Sequence, residues 1–127
     1  DNQLLCDSMG VTASFLDELG VKIDESFKGI SVFKGGRKAV ISENCGGGNS
    51  DILRKDIYFT VTTKEYKMMA VLKGKKLCVE KLFSLKNDPR ELVNIIKKTE
   101  SKNIIKVLTE YLYNERAHIF DIRNVAI

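Results

Sequence analysis

Three consecutive segments rich in β-branched and aromatic residues, separated by breaks of only three residues, constrain the fold of this 127-residue chain most strongly. They cover residues 57–62, 66–72 and 76–82. Segments of this length and content are typical of β-strands, and such short breaks join antiparallel neighbours. We therefore expect a three-stranded antiparallel meander with the middle segment, which is the most apolar, at the centre of the sheet.

A further pair of alternating segments precedes the meander. Residues 30–34 and 38–42 flank two glycines and an arginine, and glycines supply the positive φ that a tight turn requires. This pattern predicts an antiparallel β-hairpin. The glycine-rich stretch 44–50 that follows predicts a loop, and it is not a phosphate-binding P-loop because it leads into a strand and not into a helix.

Helical signals lie at the two ends of the chain. Near the N-terminus, Ser8 or Thr12 is a candidate N-cap, and Gly20 is a candidate C-terminal cap. The apolar residues between them have helical spacing, so this short helix is expected to cover the sheet. They are Val11, Phe15, Leu16 and Leu19.

Two more helices are predicted after the meander. Asp88, Pro89 and Glu91 have the spacing of an N-cap, a first helical position and a capping box. Another helix is expected from Ser101, where apolar residues form a wide stripe up to Leu112. The predicted fold class is α+β: a short N-terminal helix, an antiparallel β-hairpin and a three-stranded meander, packed against C-terminal helices.

Composition favours one globular domain over residues 1–127, with 43% apolar and 30% charged residues. The apolar C-terminus suggests a fragment of a larger protein, and no run of residues is apolar enough to predict a membrane span. Three widely spaced cysteines and a single histidine, His118, indicate neither a disulfide framework nor a metal site. No cofactor is expected.

Positive charge is concentrated at expected turns and strand ends. The 21 Lys and Arg exceed the 17 Asp and Glu, which gives a net charge of +4. The basic groups are Lys34, Arg37 and Lys38; Arg54 and Lys55; and Lys73, Lys75 and Lys76. Such clusters favour an anionic partner, although lysines at turns also serve solubility alone.

One acidic pattern leaves an enzymatic alternative open. Asp56, Glu65 and Lys67 resemble the signature of metal-dependent nucleases, in which two carboxylates hold Mg²⁺ or Mn²⁺ beside a lysine. The hairpin geometry allows the two carboxylates to face each other at its open end. No other residues in the chain suggest catalysis, and the expectation is a binding domain without catalysis of its own.

The order of hairpin, meander and covering helix resembles the mRNA cap-binding domains of segmented negative-strand RNA virus polymerases, in bunyaviruses and influenza-like viruses. The resemblance extends over about residues 25–100. The segments that carry it are 26–29, 65–68, 70–77, 82–84 and 88–92.

This resemblance implies that the chain binds the 7-methylguanosine cap of host mRNA, which then primes viral transcription. Two aromatic rings would stack on the cationic base, and a carboxylate would read its edge. The implied cap-binding residues are Phe27, Phe33, Tyr58, Glu65 and Tyr66, and Lys34, Arg37 and Lys38 would meet the phosphates. The implied partners are capped RNA and other polymerase domains, in the host cytoplasm or, for an influenza-like protein, the nucleus.

A second hypothesis is a protein-interaction module. In that case the apolar stripe of the C-terminal helix would dock on a partner and not on the sheet of its own chain.

Overall fold

The computed structural model describes residues 4–44 and 56–125. Its contacts divide the chain into two compact units, Asp1–Val40 and Ile41–Ile127. The organisation of residues 1–127 as one domain stays a prediction. Two predicted features, the glycine-rich loop after Asn44 and the basic pair Arg54 and Lys55, lie outside the described residues.

The N-terminal unit contains the predicted first helix. This helix, α1, spans Ser8–Glu18, and Gly20 follows it with a φ of +66°. Its N-cap is Asp7, and neither Ser8 nor Thr12 fills that position. The Asp7 carboxylate accepts a hydrogen bond from the backbone N–H of Gly10 at 2.7 Å, which satisfies one of the free amides of the first turn.

Small residues form the buried face of α1. Gly10, Ala13 and Ser14 are its buried residues. The Ser14 hydroxyl accepts a hydrogen bond from the Val32 N–H at 2.9 Å and donates one to the Gly10 carbonyl at 2.7 Å. A Cβ atom on Gly29 would lie 2.3 Å from the Met9 carbonyl oxygen, so helix and loop approach closely at main-chain level.

Only the second segment of the predicted hairpin is a strand. Val32–Lys34 form a 3-10 turn that starts where the Ser31 hydroxyl accepts a hydrogen bond from the Phe33 N–H. Gly35, with a φ of +102°, ends this turn. The glycines therefore end a helical turn and do not form a hairpin turn, because the N–H groups of Lys34 and Gly36 donate to the Ser31 carbonyl while the Ser31 hydroxyl binds the Phe33 N–H.

The sheet has four strands in the order β1-β2-β3-β4. They are β1 (Val40–Asn44), β2 (Ile57–Thr62), β3 (Tyr66–Lys73) and β4 (Lys76–Ser84). Strands β2, β3 and β4 form the predicted antiparallel meander, with Phe59 opposite Ala70 and Met68 opposite Leu82. The prediction of these three strands, and of β3 in an interior position, is confirmed.

One face of the sheet is buried against the C-terminal helix α2 (Ser101–Ile122). The Phe59 ring of β2 stacks on Phe120 of α2 at a centroid distance of 5.9 Å. The buried apolar residues of α2 are Leu108, Leu112, Ile119 and Phe120. The predicted α+β class is thus confirmed, and the predicted helix from Ser101 is present.

The helix predicted from Asp88 is wrong, because the segment between β4 and α2 contains no helix. Glu91 has a φ of +57°, which a right-handed helix does not allow. Its carboxylate lies 2.9 Å from the Lys67 ammonium, so it does not return to Asp88 as a capping box requires. The Asp88 carboxylate accepts a hydrogen bond from the Val93 N–H at 2.8 Å instead.

Asn94 fastens this segment to β4. Its side-chain oxygen accepts hydrogen bonds from the N–H groups of Leu82 and Ile96, both at 3.1 Å, and its amide nitrogen donates to the Glu80 carbonyl at 3.3 Å. The Ile95 N–H also donates to the Leu82 carbonyl at 2.8 Å. The segment therefore continues the hydrogen bonding at the edge of the sheet. The spacing of its apolar residues does not predict this arrangement.

We expect Asn94→Ala to lower the free energy of unfolding by about 1 kcal/mol, since water replaces part of the lost hydrogen bonding at this exposed position. Urea denaturation would measure the change. The control is Asn103→Ala, at an exposed helical position for which no side-chain hydrogen bond is described, and it should leave the midpoint nearly unchanged. Equal midpoints for the two variants would contradict the anchoring role of Asn94.

Candidate functional site

The residues proposed for cap binding fall in both units. Phe27, Phe33, Lys34, Arg37 and Lys38 belong to the N-terminal unit, and Tyr58, Glu65 and Tyr66 belong to the C-terminal unit. Their roles came from the family resemblance. The contacts within each unit show which of these side chains are paired, buried or exposed.

Two of the three basic residues assigned to phosphates are engaged by carboxylates. The Lys34 ammonium lies 2.7 Å from the Asp17 carboxylate, and this hydrogen bond, together with one from Ser31, holds the pKa of Asp17 below its ordinary value. Arg37 lies 2.7 Å from Asp7, the N-cap of α1, and also donates to the Lys28 carbonyl. These two cations organise the N-terminal unit, whereas Lys38 is exposed.

Tyr58 and Tyr66 do not form a stacking pair. Tyr58 lies opposite Val71, and five residues separate Val71 from Tyr66 along β3, which is about 17 Å at roughly 3.4 Å per residue. Because side chains alternate between faces, Tyr58 and Tyr66 lie on opposite sides of the sheet. Glu65 is exposed in the turn between β2 and β3.

The nuclease alternative fails on strand register. Asp56 precedes Ile57, which lies opposite Leu72, whereas Glu65 precedes the other end of β3. The two carboxylates are therefore at opposite ends of the β2-β3 hairpin, about 27 Å apart for eight residues at roughly 3.4 Å per residue. Lys67 is paired with Glu91, and the described residues contain no cluster of three His, Cys, Asp or Glu able to hold a metal.

The C-terminal unit has a cavity of about 390 Å³ beside the end of β4 and the start of α2. Its polar lining comes from Tyr66, Asn87, Asp88, Lys98 and Glu100. Val93, Ile95 and Ile104 line it as well, so the cavity suits a ligand that has both hydrogen-bonding groups and apolar surface. Sequence reasoning assigned a role only to Tyr66, because it placed Asp88 and its neighbours on a helix.

A basic turn lies at the opposite end of β3. Lys73 and Lys76 face each other across the register, and Lys75 lies in the turn between them. All three are exposed, as the sequence predicted for a turn. Arg123, near the end of α2, is buried and donates to the carbonyl of Gly74 at 3.3 Å, so it ties the helix to this turn.

The N-terminal unit carries an apolar surface, which we call the outer α1 surface. Its residues are Val11, Phe15, Leu19 and Phe33, exposed by 51%, 68%, 73% and 66%. A shallow groove of about 240 Å³ between α1 and the 3-10 turn is part of it. Full burial of a Val, Leu or Phe side chain stabilises a protein by about 1.5–3 kcal/mol. Exposure of these four side chains therefore loses a large contribution to the free energy of folding.

Neither helix of residues 4–44 and 56–125 has the length and apolar character of a membrane span. No family model matches the chain, and no curated protein matches it. Solved structures do match in fold. Two of them have a TM-score of 0.65 and 21% sequence identity and cover 90% of this chain: a sulfatase structure from Bacteroides thetaiotaomicron and a 2-O GAG sulfatase.

A third match, solved with its substrate D-glucosamine-2-N,6-O-disulfate, has a TM-score of 0.62 and 22% identity over 88% of this chain. The chain spans only about a quarter of the length of each matched structure, between 24% and 25%. At this identity the likeness concerns the fold.

These neighbours overturn the viral interpretation. Two of these three fold matches are described as sulfatases and none as a polymerase cap-binding domain, so the resemblance, the cap-binding function and the viral transcription role derived from it are wrong. The expectation of a domain without catalysis of its own is also wrong, because the neighbours in fold are enzymes.

The alternative of a module that docks through its C-terminal helix is not supported either. The apolar stripe of α2 is used against the sheet of its own unit, where Leu112 and Phe120 are fully buried. The chain is thus similar in fold to about one quarter of a sulfatase.

Proposed function

We propose that this chain is the smaller α+β portion of a sulfatase-like enzyme. The observation that carries this proposal is the fold match over 90% of the chain at a TM-score of 0.65. An agreement over nearly all described elements supports a common architecture, and not just a common sheet motif. The coverage of about 25% of each matched chain supports a place within a longer polypeptide.

The substrate class we propose is a sulfated saccharide. One neighbour is described as a 2-O GAG sulfatase, and another holds D-glucosamine-2-N,6-O-disulfate as its substrate. The net charge of +4 and the exposed lysines of the β3-β4 turn favour approach of such a polyanion. The cavity of the C-terminal unit has donors and acceptors of the kind that sugar hydroxyls use, beside apolar side chains.

The complete gene product that contains this chain should release inorganic sulfate from sulfated saccharides. The assay would quantify sulfate by ion chromatography after incubation with D-glucosamine-2-N,6-O-disulfate, a 2-O-sulfated disaccharide and 4-nitrocatechol sulfate. We expect turnover of at least one sulfate ester, and at least tenfold less with the corresponding phosphate ester, 4-nitrocatechol phosphate.

The phosphate ester is the matched control, because it shares the leaving group and differs in the transferred group. Hydrolysis of the phosphate ester alone would contradict a sulfatase. Release of sulfate from none of the three substrates, by a preparation whose circular dichroism shows a folded protein, would also overturn the proposal.

A further inference from the structure

The orientation of α1 is the reverse of what its sequence predicts. A surface helix normally turns its large apolar residues toward the interior and its small or polar residues outward. Here Gly10, Ala13 and Ser14 are buried, while Phe15 and Leu19 are 68% and 73% exposed. The helix thus presents its most hydrophobic side chains on the outer α1 surface.

Within the N-terminal unit, α1 cannot rotate about its axis to bury its large apolar side chains. The Ser14 hydroxyl is held between Val32 and Gly10, and a Cβ on Gly10 would lie 2.8 Å from the Cys6 sulfur and 3.0 Å from the Ile30 carbonyl oxygen. There is no room on that side for a phenylalanine or a leucine. Any cover for Phe15 must therefore come from outside the N-terminal unit.

Phe33 extends the same patch from the 3-10 turn, so that two separate elements contribute to one apolar area. Six residues line the groove between them: Val11, Ser14, Phe15, Glu18, Val32 and Phe33. Its exposed lining is apolar, which suits aliphatic and aromatic side chains and not a charged ligand. A contiguous exposed apolar patch is typical of a surface that contacts protein.

We propose that the outer α1 surface docks against an apolar face of the larger, remaining part of the same sulfatase-like polypeptide. This inference rests on the proposed function, because the occupant is identified from the fold match. The chain accounts for about a quarter of each matched sulfatase, so some three quarters of such a fold remain to cover the patch. Phe15 and Leu19 are the central contacts.

Site-specific photo-crosslinking of the complete gene product tests the docking directly. Phe15→p-benzoylphenylalanine keeps an aromatic ring at the centre of the patch and reacts with whatever side chains contact it. The matched control is Leu92→p-benzoylphenylalanine, since Leu92 is 77% exposed in the C-terminal unit and is not part of the patch. Peptide mass spectrometry after irradiation would locate the crosslinks.

We expect position 15 to crosslink to residues of the same polypeptide outside this 127-residue chain, with a yield at least fivefold above that of position 92. Crosslinks to residues 41–127 would overturn the proposal, and so would crosslinks between isotopically distinct copies of the protein. A yield no higher than that of position 92 would overturn it as well, because it would show that the patch faces solvent.

The outcome is independent of the sulfatase assay. A crosslink to the remaining polypeptide without release of sulfate would support the docking and contradict the proposed activity. Release of sulfate without the crosslink would support the activity and contradict the docking.

Discussion

Phe120→Ala is expected to lower the free energy of unfolding by about 3–5 kcal/mol, the usual cost of removing a buried phenylalanine. Phe120 is fully buried, stacks on Phe59 of β2 and makes an edge-type ring contact with Tyr113 at a centroid distance of 4.3 Å. The substitution therefore removes both the burial and two aromatic contacts. It leaves a cavity where α2 meets the sheet.

Chemical denaturation of the wild type and the variant, followed by far-UV circular dichroism, would measure this loss. Ile122→Ala is the matched control, because Ile122 lies two residues further along α2 and is 52% exposed. Its replacement should cost less than about 1 kcal/mol, as most surface substitutions do. A loss for Phe120→Ala as small as that of the control would show that α2 does not seal the core of the C-terminal unit.

Gly29→Ala should have the second largest effect, a loss of about 3 kcal/mol, because an added methyl group cannot be accommodated without backbone movement. The new Cβ would lie 2.3 Å from the Met9 carbonyl oxygen and 2.4 Å from the Phe27 ring. The first of these atoms is main chain and cannot rotate away. The expected consequence is separation of α1 from the loop that its small residues contact.

Hydrogen-deuterium exchange of the α1 amides would report this separation as faster exchange in the Gly29→Ala variant. Gly20→Ala is the control, since Gly20 has a φ of +66° and no atom within 4 Å of an added Cβ. It should cost only about 1 kcal/mol for the left-handed backbone and leave exchange within the first turns of α1 unchanged. Unaltered α1 exchange in Gly29→Ala would contradict the close approach.

The failed resemblance to cap-binding domains has a physical explanation. It rested on the order of a hairpin, a meander and a helix, and two of those parts are not formed as predicted. Residues 30–34 contain a 3-10 turn, and the segment after Asp88 is not a helix. What remained was an antiparallel meander with a covering helix, an arrangement common to many unrelated functions.

The candidate site was predicted only in part. Tyr66 lines the cavity of the C-terminal unit, but the sequence interpretation named it for cap binding and not for this cavity. Asn87, Lys98 and Glu100 were missed, because their place beside Tyr66 depends on how the segment after β4 folds back along the strand. No local spacing encodes that return, since it is set by hydrogen bonds between residues distant in sequence.

The sequence by itself determined the strands β2, β3 and β4, the presence of both helices and the start of α2, whereas α2 continues to Ile122, ten residues beyond the predicted stripe. Alternation with a period of two and helical spacing are local properties, and in these elements they agree with the observed strands and helices. The tertiary structure alone decided two other features. Glu91 pairs with Lys67 and so does not form the predicted capping box. Asn94 holds the non-helical segment against β4 by a hydrogen bond.

The direction in which α1 faces was likewise a tertiary decision. Its apolar stripe predicts burial of Phe15 and Leu19. The small residues Gly10, Ala13 and Ser14 instead allow the main chains of α1 and its loop to approach closely, so the small face is the buried one. A hydrophobic pattern specifies which residues favour burial. Only the packed chain specifies which partner buries them, because close contact depends on shape and on hydrogen bonds that a one-dimensional pattern does not contain.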